Sequence, residues 1–546
     1  MRCAAALVTD SLQTETAPAW FAPALPCFAP MRAWLLLVWS LVAVSCSRGD
    51  RPFLHGPKLL DAGARDAAPP RRASTLAPAA HDAGGGQAGQ AGLSDASAEV
   101  RSPPVGGAGT AAVSGEGGAP SARGGAEAPA APSAAGSGGM AGAAAAPQQK
   151  ASDEVFRDDL LRTYELTISD EDWAELQRTA SEEHYVPAQL SVEGELVGTI
   201  GVRYKGNAGT LHHCFEDGEQ TCRKLSLKLK FSEYDPALRY RGLKKLNLHS
   251  SLRDHSHLHE RVTYKLFREF GVLAPRSVHA RLIINGEYRG LYNLTEQVDG
   301  RFTDHRFRGA DGDGTLYKEA WPASSTQPEY FTHAQATNEG STVSKVVRFA
   351  EELASAPSSE LGEVVRRWMD PDLALRYLAV HTATKHWDGP LTFYCSEEYG
   401  CNNHNYYLYE SATRDYFEIV AWDTDNTFYE DVLTERAEVP AWYEAVDDCD
   451  HDAGDDFLPP GCDRLVQGFV QLGLDSFRQT LDTLLNGPYQ VDALQADVDR
   501  WAAQIDEAVK TDPSGSGYED WRGNVSYLKR MIAQRYAETA AIRDSL

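Results

Sequence analysis

The sequence lacks three features that would each have defined a function class: a membrane-spanning apolar run, a Cys-x-x-Cys pair and an excess of positive charge. Its main apolar run, residues 33–44, covers twelve positions, whereas a membrane helix needs about 20. The chain carries 78 Asp and Glu against 52 Lys and Arg, which gives a formal net charge of −26. This acidity argues against nucleic acid as a partner, because such binding depends on Lys and Arg that neutralise phosphates.

Leucine, isoleucine and aromatic residues are absent from residues 101–150, where Ala, Gly, Pro and Ser fill 39 of the 50 positions. Such a segment cannot bury enough apolar surface to offset the entropy lost on ordering it. We therefore expect a disordered tether over residues 47–150. Residues 151–546 are rich in Trp, Tyr, Phe and Leu and can bury one large core, so they are predicted to form a folded domain.

The N-terminus has the pattern of an export signal. Met31 and Arg32 supply a start residue and a positive charge before the apolar run, which favours translation from Met31 and a mis-set start over residues 1–30. Small residues then lead to Cys46, so residues 31–46 are expected to be a lipoprotein signal peptide that ends at the lipidated Cys46. An ordinary signal peptide cleaved nearby is the alternative. Both predict an exported protein of the cell envelope, lipid-anchored to a membrane or secreted.

Six cysteines of the folded part form close pairs, Cys214/Cys222, Cys395/Cys401 and Cys449/Cys462. In an exported domain this spacing favours local disulfides within each pair. A zinc site is the alternative, and it is weak because the pairs are far apart in sequence.

Hydrophobic periodicity predicts an α+β domain with antiparallel hairpins and a helical C-terminal part. Alternating patterns predict strands over residues 162–169 and 225–231, and hairpins over 186–206, 280–292 and 405–422. Helical spacing predicts helices from Asp254 or Ser256 to Gly271, over 341–355, from Asp370 to about His386, and beyond Val466.

Short blocks of chemistry-bearing residues occur in order along this part of the chain. They are Arg203-Tyr-Lys-Gly-Asn207, Lys224-Leu-Ser-Leu-Lys-Leu-Lys-Phe231, Gly242-Leu-Lys-Lys-Leu-Asn-Leu-His249, Leu266-Phe-Arg-Glu-Phe-Gly-Val-Leu-Ala-Pro-Arg276, Asn285-Gly-Glu-Tyr-Arg-Gly-Leu-Tyr292, Glu296-Gln-Val-Asp299, His404-Asn-Tyr-Tyr-Leu-Tyr409 and Trp422-Asp-Thr-Asp-Asn-Thr-Phe428. Together they resemble the CotH kinase family, named for spore coat protein H, over roughly residues 155–545.

The resemblance implies an atypical protein-kinase-like fold and transfer of the ATP γ-phosphate to Ser or Thr of surface or envelope proteins, with Mg²⁺ or Mn²⁺. Phosphoryl transfer needs cations on the phosphates, carboxylates that hold the metal and a carboxylate beside the attacking hydroxyl. The acidity of the chain makes a basic protein substrate a reasonable expectation. The chain departs from the family pattern where Cys395 and Cys401 lengthen the gap before Asn405.

By resemblance, Asp388 is the catalytic carboxylate, and Asn405 and Asp423 hold the metal. Asp425 is a second candidate ligand, because it would share a face with Asp423 if the strand continued. The alternative is that Asp388 and Asp423 are turn residues at the ends of a helix and a strand.

The kinase order also predicts a phosphate-binding lysine, either Lys224 or Lys228, and Glu260 as its helix partner. A solvated strand face and an exposed helix residue are the alternatives.

Further candidates border the nucleotide. Arg203, Lys205 and Asn207 are candidates for a phosphate-facing turn, or for a plain hairpin end. Glu296, with Asp299, is a candidate for the nucleotide pocket, or for the start of a helix.

Two other clusters suggest metals, with solvated segments as the alternative. His255 and His259 are four residues apart, which is compatible with zinc, and His249 and His257 lie nearby. The acidic segment 447–456 suggests Ca²⁺ but lacks the spacing of a calcium loop.

The retained acidic residues favour catalysis. A non-catalytic surface binding or adhesion module on a decayed kinase-like fold is the alternative function. A factor associated with cell-wall polysaccharide is a weaker third reading, because aromatic residues are usually core.

Overall fold

The computed structural model describes residues 151–546, except 207–210, 212–213, 217–218, 308, 397–399, 431–440, 445, 447–448 and 450–456. The expected leader, the lipidation residue Cys46 and the tether lie outside the described residues, as do Asn207 and most of the acidic segment 447–456. Within the part of the chain that is described, no helix is both long and apolar enough to cross a membrane.

The strands are short, and most of them are paired as hairpins. They are β1 (Arg162–Thr167), β2 (Val186–Val192), β3 (Glu195–Lys205), β4 (Phe215–Glu216), β5 (Glu219–Gln220), β6 (Ser226–Lys230), β7 (Lys245–His249), β8 (Ser277–Ile284), β9 (Glu287–Glu296), β10 (Thr315–Lys318), β11 (Phe393–Ser396), β12 (Gly400–Asn402), β13 (Tyr406–Glu410), β14 (Phe417–Ala421) and β15 (Phe457–Leu458).

The helices are concentrated in the second half of the chain. They are α1 (Asp170–Arg178), α2 (His259–Glu269), α3 (Gly300–Arg306), α4 (Pro328–His333), α5 (Ser344–Ser355), α6 (Leu361–Trp368), α7 (Pro371–Thr384), α8 (Arg464–Val470), α9 (Leu474–Asn486), α10 (Val491–Lys510) and α11 (Tyr518–Ser545).

The N-terminal strands close into a barrel in the order β1-β2-β3-β6-β7-β9-β8. β1 and β8 pair in parallel, and the other neighbouring strands pair antiparallel. Successive side chains of a strand point to opposite faces. Leu227 and Leu229 of β6 therefore pack into the barrel core, whereas Lys228 between them lies on the outer face.

The outer face of β3, β6 and β7 is polar. Arg203 of β3 is paired with Lys228 of β6, which is paired in turn with Asn247 of β7. Lys205 and His249 lie two residues further along their strands, so their side chains share this face.

The helical part has its own apolar core. Val262 and Phe267 of α2 belong to it, together with Leu378 of α7 and Leu528 of α11. Helices α2 and α7 are in direct contact, and α7 also packs against α9 and α11. This packing holds helix α2, which follows β7, next to helix α7, which precedes Asp388.

Two small sheets and three disulfides complete the described architecture. β10, β13 and β14 form one sheet, and β12, β11 and β15 form another, in which β11 and β12 lie between Asp388 and Asn405 and β15 follows β14 in the chain. The disulfides Cys214–Cys222, Cys395–Cys401 and Cys449–Cys462 are those that the spacing predicts.

The predicted α+β class, with antiparallel hairpins and a helical C-terminal part, is confirmed. Several helix boundaries differ from the prediction by a few residues, and two of the differences have a clear local cause. α2 begins at His259, because Asp254 and Ser256 form a turn in which Asp254 Oδ2 accepts from the His259 backbone N–H at 2.9 Å. α7 ends at Thr384, because Lys385 adopts a left-handed conformation with φ 49°.

Candidate functional site

Asp388 lies on a tight turn directly after helix α7. The His386 backbone N–H donates to the His381 carbonyl at 3.1 Å, and that of Gly389 donates to the His386 carbonyl at 3.2 Å. A Cβ atom on Gly389 would lie 2.7 Å from His386 Nδ1 and 2.9 Å from His381 Nε2. Only glycine fits there without displacing a histidine, so Gly389 fixes the path of the chain at Asp388.

The Asp388 carboxylate accepts four side-chain hydrogen bonds from described residues. Oδ1 accepts from Tyr394 Oη at 2.6 Å and from His404 Nε2 at 2.8 Å. Oδ2 accepts from Asn405 Nδ2 at 2.9 Å and from Asn426 Nδ2 at 3.0 Å. Asn405 Nδ2 also donates to the Asp388 carbonyl at 2.8 Å. The structure therefore brings together Asp388 and Asn405, as the sequence pattern suggests.

His404 lowers the pKa of the Asp388 carboxyl group. Burial acts to raise the pKa of Asp388, but the charge and hydrogen bond of His404 and the bond from Tyr394 outweigh it, so the pKa lies below its usual value. Burial acts to lower the pKa of His404, and the Asp388 carboxylate more than compensates, so that pKa is raised. The pair therefore favours the ionised form of Asp388 and the protonated form of His404.

Asn405 is held in a left-handed conformation with φ 65°, which asparagine adopts more readily than most residues. Its backbone N–H donates to Glu319 Oε1 at 3.1 Å. Because the Asn405 amide nitrogen is committed to Asp388, its Oδ1 is the atom that remains available to a cation.

Asp423 follows strand β14 and is anchored through its backbone. Its N–H donates to Tyr264 Oη at 2.9 Å, and its carbonyl accepts from His386 Nε2 at 3.2 Å. Burial lowers the pKa of His386 to about 4, so the ring is neutral and we assign the proton to Nε2. The Asp423 backbone is thus bonded to the turn that carries Asp388.

Asp425 is a crowded carboxyl group. Its pKa is raised well above the usual value by burial and by the negative charges of neighbouring Asp423, Glu260, Asp254 and Asp388. The reason given in the sequence analysis does not hold, since β14 ends at Ala421 and the strand does not continue. Asp425 nevertheless belongs to the same acidic cluster.

Glu260 is linked to Lys205 through a histidine. Lys205 Nζ lies 2.9 Å from His249 Nε2, and His249 Nδ1 lies 2.6 Å from Glu260 Oε2. An ammonium group can only donate, so Nε2 is the acceptor and the Nδ1 proton is donated to Glu260. Lys205 Nζ also lies 5.4 Å from the centre of the Trp422 ring, next to Asp423.

Lys228 belongs to a cluster of cations on the outer face of the barrel. Burial lowers its pKa well below the usual value, and the positive charges of Arg203, Lys245 and Lys205 lower it further. Among the described residues, Lys228 has no hydrogen-bond or ion-pair partner. Arg203 is different, because its guanidinium pairs with Glu183 and lies over the Tyr185 ring.

Lys224 and Glu296 are not brought to this cluster. Lys224 Nζ is buried, donates to the Leu291 carbonyl at 2.6 Å and lies 3.2 Å from Asp512 Oδ2.

Glu296 is enclosed by two arginines, and its carboxylate accepts from Arg276 at 2.6 Å and from Arg306 at 2.7 Å. Burial acts to raise the pKa of Glu296, but the arginine charges outweigh it and the pKa is strongly lowered. The two carboxylate oxygens are saturated by these partners. Asp299 caps helix α3, which is the alternative given for it above.

Several site residues were missed in the sequence analysis. His249, His404 and Asn426 lie inside the ordered blocks, so the blocks themselves carried the signal. Tyr394 carries no such signal, because it lies outside the ordered blocks, beside Cys395.

The histidine cluster suggested by sequence does not assemble. His255 pairs with Asp520 at 2.8 Å, and His259 Nδ1 contacts the Thr427 carbonyl. Within the described ranges, no three His, Cys, Asp or Glu side chains are grouped as a metal site.

Magnesium does not require such a group, since it takes one or two carboxylates plus waters and phosphate oxygens. Asp423, Asp425 and the Asn405 amide oxygen are oxygen donors of the right class. Burial and repulsion from the neighbouring carboxylates raise the pKa of Asp425, and a bound divalent cation would relieve that repulsion. The residues present therefore fit the cation that the resemblance implies.

Comparisons with known proteins identify relatives. The family profile described as CotH kinase protein matches residues 202–539, more than half of the chain. The chain is 26% identical over 286 residues to the inner spore coat protein H of Bacillus subtilis (strain 168), a match that covers 50% of this chain and 71% of that protein.

Solved structures show a weak likeness. A Shewanella oneidensis MR-1 complex of HipA, HipB and operator DNA matches at 15% identity and a TM-score of 0.25, over 56% of this chain and 61% of that chain. The Helicobacter pylori proinflammatory kinase CtkA matches at 9% identity and a TM-score of 0.28, over 59% of this chain and 92% of that chain. Scores this low carry no argument about the site.

Proposed function

The chain belongs to the CotH kinase family, and from this premise we propose that it is an exported atypical protein kinase. It transfers the γ-phosphate of ATP to Ser or Thr hydroxyls of surface or envelope proteins, with Mg²⁺ or Mn²⁺.

The observation that carries the proposal is the assembly around Asp388. Asp388, Asn405 and Asp423 come from three separate segments and are joined by hydrogen bonds, directly at Asn405 and through His386 at Asp423. Kinases use a catalytic-loop Asp as the base, and an Asn and a further Asp for the metal ions. A purely structural role gives no reason to gather these groups at one half-buried point.

In the proposed reaction, the acceptor hydroxyl approaches the Asp388 carboxylate and Asp388 takes its proton. Asn405 and Asn426 hold Oδ2 and so orient the carboxylate. Proton transfer by a positioned side chain typically contributes about 10²–10⁴-fold to a rate.

The phosphates of ATP are assigned to the basic outer face of the barrel. Lys228, which lacks a partner among the described residues, is the preferred phosphate ligand of the two lysines considered. Lys205, held by the chain through His249 to Glu260, is the second. An anion beside Lys228 would relieve the repulsion from Arg203 and Lys245 that depresses its pKa.

Asp423, Asp425 and Asn405 would hold the divalent cation. The cation supplies charge neutralisation on the transferring phosphoryl group.

Export is supported by the disulfides, which persist in oxidising compartments. The spore coat relative is compatible with an exported location. Lipid anchoring at Cys46 remains part of the proposal, as does a basic Ser/Thr protein as substrate.

The test is transfer of label from ATP to a basic, Ser-rich protein by the oxidised full chain with Mg²⁺ or Mn²⁺. Asp388→Ala and Asp423→Ala are both expected to lose at least about 100-fold in rate. Asp388→Ala is expected to keep the rise in melting temperature caused by ATP and metal, and Asp423→Ala to lose it.

The matched control is Asp475→Ala, an exposed carboxylate at the start of α9 whose only described ion pair is with Arg478. It is expected to behave as the unaltered chain. Absence of both transfer and thermal shift would replace the kinase proposal with the non-catalytic binding module.

A further inference from the structure

The inserted segment between Asp388 and Asn405 places a hydroxyl group on the candidate catalytic carboxylate. Tyr394, on strand β11, donates its phenolic proton to Asp388 Oδ1 at 2.6 Å. The other three donors to this carboxylate are nitrogen atoms of His404, Asn405 and Asn426. Tyr394 is therefore the only described partner that has the chemistry of a phosphate acceptor.

The four donors fill the carboxylate. Two carboxylate oxygens offer about four acceptor positions in total. An incoming hydroxyl must lie within hydrogen-bond reach of its general base. It therefore reaches Asp388 only after one of the four donors has left.

Asn405 and Asn426 hold Oδ2 through their amide nitrogens, and His404 holds Oδ1 through Nε2 of its ring. None of these three resembles an acceptor. An acceptor hydroxyl would therefore take the position on Asp388 that the Tyr394 hydroxyl occupies.

Tyr394 is held in place from several sides. Its ring stacks on the His404 ring with centroids 4.7 Å apart, and it packs against Phe457 of β15 at 5.2 Å. The next residue, Cys395, forms the cross-strand disulfide with Cys401 that joins β11 to β12. The side chain is only partly buried, so part of it is exposed to solvent.

We infer that Tyr394 is a built-in competitor of the protein substrate, whose hydroxyl occupies the acceptor position on Asp388 until a Ser or Thr hydroxyl displaces it. The inference rests on the proposed function. It adds a regulatory element from the segment between Asp388 and Asn405.

The experiment compares the oxidised full chain with its Tyr394→Phe variant in the transfer assay. Phenylalanine keeps the ring that stacks on His404 and removes only the hydroxyl. The KM for a basic Ser-containing peptide is expected to fall about 10- to 150-fold in this variant, the range set by one hydrogen bond to a charged group. The KM for ATP is expected to stay unchanged.

Tyr416→Phe is the matched control, since Tyr416 donates to the carboxylate of Glu418 at 2.8 Å, outside the site. It should leave both KM values unchanged. An unchanged or higher peptide KM in Tyr394→Phe overturns the inference. A lower kcat at unchanged KM also overturns it, because that result makes Tyr394 a positioning residue for Asp388.

The two proposals fail in different ways. If the unaltered chain transfers phosphate and Tyr394→Phe does not lower the peptide KM, only the competitor inference is overturned. Transfer that appears only in Tyr394→Phe is its strongest support. Absence of transfer in both proteins overturns the kinase proposal and this inference together.

Discussion

At the scale of single residues, Glu260 shows how hydrogen-bond partners stabilise a buried charge. Glu260 is buried, and its carboxylate accepts from Ser277 at 2.9 Å, from Thr295 and from His249 at 2.6 Å. Burial acts to raise the pKa of Glu260, but the contact with His249 and the hydroxyl hydrogen bonds leave it below its usual value. The carboxylate is stable as an anion because its partners are all in place.

Replacing His249 by alanine is expected to destabilise the protein by roughly 2–4 kcal/mol, since it leaves Glu260 buried with only hydroxyl donors. Urea unfolding at pH 7 measures the loss. His255→Ala is the control, because His255 is exposed and pairs only with exposed Asp520. Equal midpoints for the two variants would contradict the role assigned to His249.

Glu418 on strand β14 gives a pH-dependent prediction. Burial and neighbouring Asp370 raise its pKa from 4.5 to about 7, against the hydrogen bond from Tyr416. The folded state therefore binds this proton more tightly than the unfolded state, so stability falls as pH rises from about 4.5 to 7.

Glu418→Gln removes that loss and is expected to stabilise the protein at pH 8 by roughly 1–3 kcal/mol. At pH 4 the gain should be close to zero, because the glutamate is then protonated in both states. Melting temperatures at the two pH values provide the measurement. A gain of the same size at both would show that charge is not the cause.

The positions of candidate residues were predictable from sequence where they lie in ordered blocks, and their contacts were not predictable where they depend on distant partners. Asp388, Asn405 and Asp423 were proposed because the resemblance to the family implies them, and the structure places Asp388 and Asn405 in direct contact. Strand alternation placed both Lys224 and Lys228 in or beside a strand, but it could not tell which of them meets Asp512. That partner lies 288 residues further along the chain.

At the scale of elements, the turn after α7 decides the geometry of the site. Lys385 ends the helix in a left-handed conformation, and Gly389 closes the turn against two histidines. The Asn285–Gly286 hairpin turn was readily predicted, and its φ values of 53° and 80° are those of a type I′ turn. A turn at Asp388 was an alternative in the sequence analysis, but the close approach of Gly389 to two histidines was not predictable, because it comes from side chains rather than from the local backbone.

Gly389→Ala is expected to abolish transfer, because the new methyl group meets His386 and His381 and shifts Asp388 away from its donors. The melting temperature should also fall. Gly523→Ala is the control, because a Cβ atom there meets nothing within 4 Å and alanine favours its helix, α11. Full activity in Gly389→Ala would mean that the turn does not hold Asp388.

At the scale of the whole described part, one buried ion pair joins the barrel to the C-terminal helices. Asp512, between α10 and α11, accepts from the Leu291 backbone N–H of β9 at 2.8 Å and pairs with Lys224 at 3.2 Å. A Cβ atom on Gly290 would collide with the Asp512 carboxylate, so glycine is needed for this approach.

Asp512→Ala is expected to cost roughly 3–5 kcal/mol, because it leaves the Lys224 ammonium buried without its counter-charge. The double variant Lys224→Met, Asp512→Leu should recover most of that loss, since a buried pair can be replaced by apolar groups. Denaturant unfolding of the single and double variants measures both. If the double variant is no more stable than Asp512→Ala, the loss comes from the loop and not from the charge.

The position of this ion pair in the chain sets an order of events during synthesis. Lys224 leaves the ribosome 288 residues before Asp512, and synthesis adds about 5–20 residues per second. For some tens of seconds the barrel strands therefore exist while the counter-charge of Lys224 has not yet been made. The barrel reaches its final stability only when the last tens of residues have emerged. If the proposed export takes the chain across a membrane unfolded, this delay helps to keep the barrel from reaching its final stability before it crosses.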